Sequence, residues 1–116
     1  AHVLETERMT IMFCAYEGNP LILRLYGKAT AIHQRDDSWE EVASLFPDLP
    51  GKRQFFVIDI DRVGGSCGFG VPLFEHKGNR ENLIEWASNK TDSEIENYWK
   101  RKNQTSIDGK PTNIFD

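Results

Sequence analysis

Apolar and polar positions alternate along two long runs of this chain and recur at helical spacing in several shorter ones. LILRLYGKATAI (21–32) has Leu21, Leu23, Leu25, Gly27, Ala29 and Ala31 at its odd positions, and the mixed set Ile22, Arg24, Tyr26, Lys28 and Thr30 between them. A period of two with one apolar face predicts a strand buried on one side. RQFFVIDIDRV (53–63) alternates in the same way, with Phe56, Ile58 and Ile60 on one face and Phe55, Val57, Asp59, Asp61 and Val63 on the other. MTIMFCAY (9–16) is apolar on both faces, as a central strand is. EGNP (17–20) is a turn by composition. Gly27, in mid-strand, implies a bulge, a bend or a close approach of backbones.

Helical spacing accounts for much of the rest. AHVLETE has helix-forming composition with no start signal before it. In DSWEEVASLFPDLPG (37–51), Ser38 and Glu41 fit a capping box, Trp39, Val42, Ala43 and Phe46 form one apolar stripe, and Pro47 and Pro50 end the helix. NRENLIEWASNK (79–90) predicts a helix capped by Asn79. TDSEIENYWKRKNQ (91–104) predicts another, with a Thr91/Glu94 capping box and Ile95, Tyr98 and Trp99 as its docking stripe. SIDGKPTNIFD (106–116) reads as a loop or tail. This order predicts a mainly β, antiparallel, barrel-like sheet in one domain over residues 1–116, with helices 79–104 packed on its flank.

Composition narrows the function. The chain has 116 residues, 39 % apolar and 28 % charged, which suits one small globular domain. A chain this short buries a modest share of its surface, so a partner subunit would help it. The net charge of −4 and the lack of a basic stripe argue against nucleic acid. No apolar run is long enough for a membrane span, and the polar start AHVLETER is no signal peptide. Cys14 and Cys67 lack C-x-x-C spacing, which points away from zinc and toward a reducing, cytoplasmic setting.

Few residues offer chemistry of their own. His2, His33 and His76 have no metal-ligand spacing, so no metal site is expected. Asp59 and Asp61 would suit acid–base work, but Arg53 and Arg62 nearby favour an ion-paired structural role. A Cys67–His76 nucleophile pair lacks an orienting third group. DRVGGSCGFGVP (61–72) stands out because Gly64, Gly65, Gly68, Gly70 and Pro72 crowd around Ser66 and Cys67. It lacks the Lys-Ser/Thr of a phosphate-binding P-loop. Its glycines let the backbone approach another chain, a flat ligand or a neighbouring strand.

MTIMFCAYEGNPLILRLYGKA, SWEEVASLFPDLPG, FFVIDIDRV followed by SCGFGVP, and KNQTSIDGKP resemble, in this order and over almost the whole chain, the pyridoxamine 5′-phosphate oxidase-like proteins. The resemblance implies an FMN-binding split barrel of six strands, a homodimer, and two flavin clefts at the subunit interface. Several strands and a helix normally precede the region matching AHVLETERMTIMF and carry much of the flavin-phosphate binding. The chain is therefore expected to be a fragment or a truncated form, a partial barrel. Ser66, Cys67, Gly68 and Phe69 would be the cofactor-binding residues, with Cys67 packed near the flavin, and no catalytic side chain is named. The implied function is an FMN-dependent oxidoreductase of unknown substrate. A split-barrel dimer that binds or interacts without turnover is the alternative. A weaker third reading puts another flat ligand such as haem in the cleft, on His33 or His76. The C-terminal substrate-binding features of the true pyridoxamine phosphate oxidases are not found, so vitamin B6 oxidation is not the default.

Overall fold

The computed structural model describes all 116 residues. Three antiparallel strands form one sheet in the order β1 (Arg8–Cys14), β2 (Leu21–His33), β3 (Gln54–Cys67). Four helices complete the chain, α1 (His2–Thr6), α2 (Trp39–Ala43), α3 (Asn82–Ser88) and α4 (Asp92–Lys102), and of these α1 lies against β1 and β2. The mainly β, antiparallel character agrees with the alternation in the sequence. The sheet is open, with β1 and β3 both edges, so these three strands close no barrel.

Register explains the bend at Gly27. Tyr26 pairs with Arg62 but Gly27 pairs with Ile60, which leaves Asp61 bulged out of β3. A Cβ on Gly27 would collide with the Asp59 carbonyl and lie 2.8 Å from its carbon, so only glycine fits this crossing. The bulge also corrects the face assignment of Val63. Alternation alone places Val63 with Asp59, whereas its pairing with Leu25 puts it on the apolar face with Ile60. That face carries Ile11 and Phe13 of β1, Leu23 and Leu25 of β2, and Val63 and Ile60 of β3.

β3 is longer than the sequence implies. Gly64, Gly65, Ser66 and Cys67 are not a loop but the last ladder residues, paired with Arg24, Leu23, Ile22 and Leu21. The chain turns at Gly68, where a Cβ would lie 2.6 Å from Leu21 N and 2.9 Å from Pro20 C. The close approach expected of these glycines is thus made, at Gly68, to the chain's own β1–β2 turn.

The helices are shorter than their apolar stripes suggest. Ser38 sits in helical rather than extended backbone and makes no side-chain cap, so the expected capping box of α2 is absent. The stripe still docks: Trp39 and Phe46 pack on Phe55 with ring centroids 4.7 and 5.0 Å away. Asn79 does not cap α3, which starts at Asn82; its Oδ1 lies 3.3 Å from His76 Nε2 instead. The Thr91/Glu94 capping box of α4 forms as the sequence predicts. Glu94 N–H donates to Thr91 Oγ1 and Thr91 N–H donates to Glu94 Oε2, which holds the Glu94 carboxyl below its usual range. SIDG is a tight turn with Gly109 at φ 74°, tied to α1 by the Lys110–Glu5 ion pair and by His2 Nε2, 3.0 Å from Asp108 Oδ2.

Little of this is buried. Only Gly27, Ala29, His33, Gly68, Ala87 and Ile95 are shielded from solvent. The accessible surface is 9098 Å², against about 6,500 Å² for a compact monomer of this mass. The radius of gyration is 17.2 Å, against about 13 Å for a compact chain of this length. Phe13, Ile60 and Val63 on the apolar face stay more than half exposed. As a single copy the sheet has half a core.

The one buried ionisable group yields a pH prediction. His33, 4 % exposed, ends β2, and its N–H donates to Asp36 Oδ2 at 2.7 Å. Burial first, and then the Arg35 cation, lower its pKa, against the opposing pull of Asp36. Above an unfolded value of about 6.5 neither state is protonated at this ring; below it the unfolded chain binds a proton that the folded chain resists. Stability should therefore fall as pH drops through about 6.5 toward the lower folded value. The urea midpoint of the wild type should decrease between about pH 7.5 and about pH 5.5, and His33→Gln should flatten the profile over that range. Glu5 and Asp48, held low by Lys110 and Lys52, act in a more acid range.

Candidate functional site

The SCGFG segment lies at one end of the sheet, where β3 is an unpaired edge. Ser66 and Cys67 are alternate strand residues, so they face opposite ways. Ser66 shares a face with Ile22 and Arg24, and Cys67 shares the apolar face with Leu21. Cys67 is exposed and its thiol free, rather than packed, in the single copy. Gly68 is buried in the turn, and Phe69, 83 % exposed, projects beyond it. The four residues are contiguous but offer one hydroxyl, one thiol on the far face, one steric hinge and one solvent-facing ring.

The polar face beside Ser66 adds residues that sequence reasoning missed. Arg24 is paired with Gly64, which has no side chain to cover it. Its guanidinium reaches diagonally and Nη1 donates to Ser66 Oγ at 3.0 Å. The Ser66 O–H stays free to donate, as do further N–H groups of Arg24. Arg62, opposite Tyr26, lays its guanidinium carbon 4.3 Å from the Tyr26 ring centroid. Two guanidiniums, a hydroxyl and a phenol ring thus share one open face. The signal for Arg24 was its place in a strand that is otherwise apolar or aromatic on that stretch, but the diagonal to Ser66 needs the register.

Other candidates are not brought together. Asp59 and Asp61 form no ion pair, which corrects the expected structural role; Arg62 stacks on Tyr26 instead, and Asp61 is the bulged residue. His76 engages Asn79 rather than Cys67. His33 is fixed by Asp36 at the opposite end of β2 from Leu21, about 40 Å away at strand rise. No cluster of three or more metal-capable side chains occurs. No helix is long and apolar enough to cross a membrane.

Comparison with known proteins finds one similar protein with a family name. The chain is 29 % identical over 127 aligned positions to the pyridoxamine 5′-phosphate oxidase family protein ustO of Aspergillus flavus. The chain is thus similar to a protein of the pyridoxamine 5′-phosphate oxidase family. The alignment covers 95 % of this chain and 50 % of ustO, so the chain spans about half the length of that relative. No family model matches the chain, and no solved structure does. The match bears out the resemblance that the SCGFGVP, RLYG and SIDG segments carry. The similarity points to a family and not to any one substrate.

The flavin that the sequence resemblance implies can be tested against these residues. A flavin mononucleotide needs donors for its carbonyl and phosphate oxygens and flat or apolar surface for its ring. Arg24, Ser66 and the unpaired edge of β3 supply donors, and exposed Phe69 supplies flat surface, while the Tyr26 ring is taken up by Arg62. The residues fit one side of such a group. They form a wall and not an enclosed cleft, since Ser66, Cys67 and Phe69 are all exposed.

Proposed function

We propose that this chain forms part of an FMN-binding split-barrel flavoprotein, a homodimeric oxidoreductase of the pyridoxamine 5′-phosphate oxidase-like family. The observation that carries the reading is the Arg24–Ser66 pair, two side chains with spare donors on an open sheet face beside the β3 edge, in a chain similar to a protein of a family associated with flavin. Bound flavin would supply reversible hydride acceptance. The chain's own residues would bind and orient it. Arg24 and Ser66 would hold an electron-rich edge, and the β3 edge would offer backbone N–H groups. Gly68 would keep the turn close enough to Leu21 for Phe69 to project beside that edge. The apolar face with Phe13, Ile60 and Val63 would be covered by further barrel strands or a second subunit, consistent with its exposure here.

The test is FMN affinity in the natural gene product containing these residues, measured by quenching of flavin fluorescence. Arg24→Gln removes a charged donor and should weaken FMN about ten- to hundredfold. Ser66→Ala should weaken it less, and Asp61→Asn, on the bulge, should leave it unchanged. Equal affinities in all three would remove Arg24 and Ser66 from the site. The alternative, a split-barrel dimer without turnover, would show FMN binding with no reduction by a nicotinamide donor, or dimerisation with no flavin at all.

A further inference from the structure

The far end of the sheet holds a cavity that the flavin reading does not use. Its volume is about 570 Å³, within the range of small-molecule sites. α2, α4, the loop before β3 and the C-terminal residues form its walls, one side is open to solvent, and Trp39, Trp99, Ile95, Phe115, Arg35 and Arg53 line it. Ser66 lies near the opposite end of β3 from Arg53, so the two places are separated by most of a strand's length.

The charges around this cavity are unevenly satisfied. Lys52 is paired with Asp48 at 2.6 Å, and Glu96 with Lys100 at 2.6 Å. Arg35 gives one arm to the Asn113 carbonyl at 2.8 Å and keeps its other donors. Arg53 is different: its Nε is buried and has no hydrogen-bond partner. The Nε lies too deep to meet an occupant of the cavity, but the two terminal nitrogens of Arg53 are neither buried nor bonded, and they are the donors open to an acceptor there. Asp92 also lines the cavity but makes no ion pair with Arg53. Two indoles and a phenyl ring supply flat apolar wall, and guanidinium supplies planar donors suited to a carboxylate.

We infer that this cavity is a second binding site, separate from the flavin wall, for a small planar aromatic carboxylate. Arg53, with Arg35 beside it, takes the carboxylate, and Trp39 and Trp99 take the ring. Glu96, already neutralised by Lys100, does not compete for Arg53.

The probe is 2-naphthoate, titrated into the ¹⁵N-labelled protein while the three indole N–H signals are followed. The expected result is saturable movement of the Trp39 and Trp99 signals, with the Trp86 signal moving less. Arg53→Gln should weaken binding tenfold or more while the amide spectrum elsewhere stays in place. Neutral 2-naphthylmethanol should bind at least tenfold more weakly than 2-naphthoate. Equal binding of the alcohol, tighter binding of 2-naphthylmethylammonium, or an unchanged affinity in Arg53→Gln would overturn the inference. So would an absence of saturable shifts. Displacement of naphthoate by equimolar FMN would overturn the separation of the two sites. Should Arg53→Gln fail to fold, Arg35→Gln gives the same comparison with a smaller expected loss, and no loss there would count against the site.

Discussion

Gly27→Val is expected to unfold this protein or to cost about 3 kcal/mol or more, lowering its thermal midpoint by at least about 10 °C. The reason is the partner atom. The new Cβ would meet the carbonyl of Asp59, and Ile58 Cγ2 at 3.0 Å, across the β2–β3 ladder. A flexible side chain can swing aside, but a strand backbone held by ladder hydrogen bonds on both sides of a bulge cannot. Natural domains carry only about 5–15 kcal/mol of stability, and a sheet with so few buried residues has little to spare. Circular dichroism with thermal melting checks this. Gly70→Val is the control, because nothing lies within 4 Å of a Cβ there. A melt for Gly27→Val within about 2 °C of wild type would contradict the register across the bulge.

The second large effect is expected at Gly68. A side chain there strikes Leu21 N at 2.6 Å and Pro20 C at 2.9 Å, both backbone atoms of the β1–β2 turn. Gly68→Val should push the 68–70 turn off the start of β2, costing about 1–3 kcal/mol and disturbing whatever Phe69 and Ser66 bind. Gly18 is a poor comparison despite its open surroundings, because its φ of 70° penalises any side chain. Gly70→Val again separates a steric effect at one residue from a general intolerance of the glycine-rich segment. Stability and FMN affinity should both drop in Gly68→Val, and both should hold in Gly70→Val. Equal losses at Gly68 and Gly70 would mean that the contact with Leu21 is not what fixes the turn.

Much of the architecture was legible in the residues. Alternation located β2 and an apolar run located β1, both nearly to their ends, although β1 is an edge strand and not the central one; Gly27 marked a bulge, a bend or a close approach, and the structure has the bulge. The Thr91/Glu94 pair marked the start of α4 because both halves of that box are local in sequence. The failures share a cause. Gly64 and Gly65 have poor intrinsic strand preference, so their segment reads as a loop; only the pairing with Leu21–Arg24 makes it strand. The same bulge that Gly27 signalled shifts Val63 to the other face, and a one-residue shift is invisible without the partner strand. Ser38 and Asn79 have the right chemistry to cap, but the turns before α2 and α3 hold them in other roles or backbone states. Arg24 stood out as a charge in an apolar stretch, but its link to Ser66 was hidden because that contact spans 42 residues of sequence.

The candidate site was legible as a place more than as a mechanism. The glycine-rich segment drew attention to Ser66, Cys67, Gly68 and Phe69, and the structure adds Arg24, Tyr26 and Arg62 on the face that Ser66 shares. It also shows that Cys67 faces the other way. A sheet face that presents two guanidiniums and a free hydroxyl beside an unpaired edge is suited to holding an oxygen-rich planar group. The acidic net charge of the chain makes that local cationic patch more informative than it would be on a basic protein.

The most direct test of the flavin account is a visible absorption spectrum of the natural gene product after incubation with FMN and gel filtration. The account predicts a retained flavin band in the wild type, eluting with protein at the size of a dimer, and a band largely lost in Arg24→Gln although its circular dichroism matches wild type. A wild type that elutes without flavin would contradict the account, and a band that survives unchanged in Arg24→Gln would place the flavin somewhere other than this sheet edge.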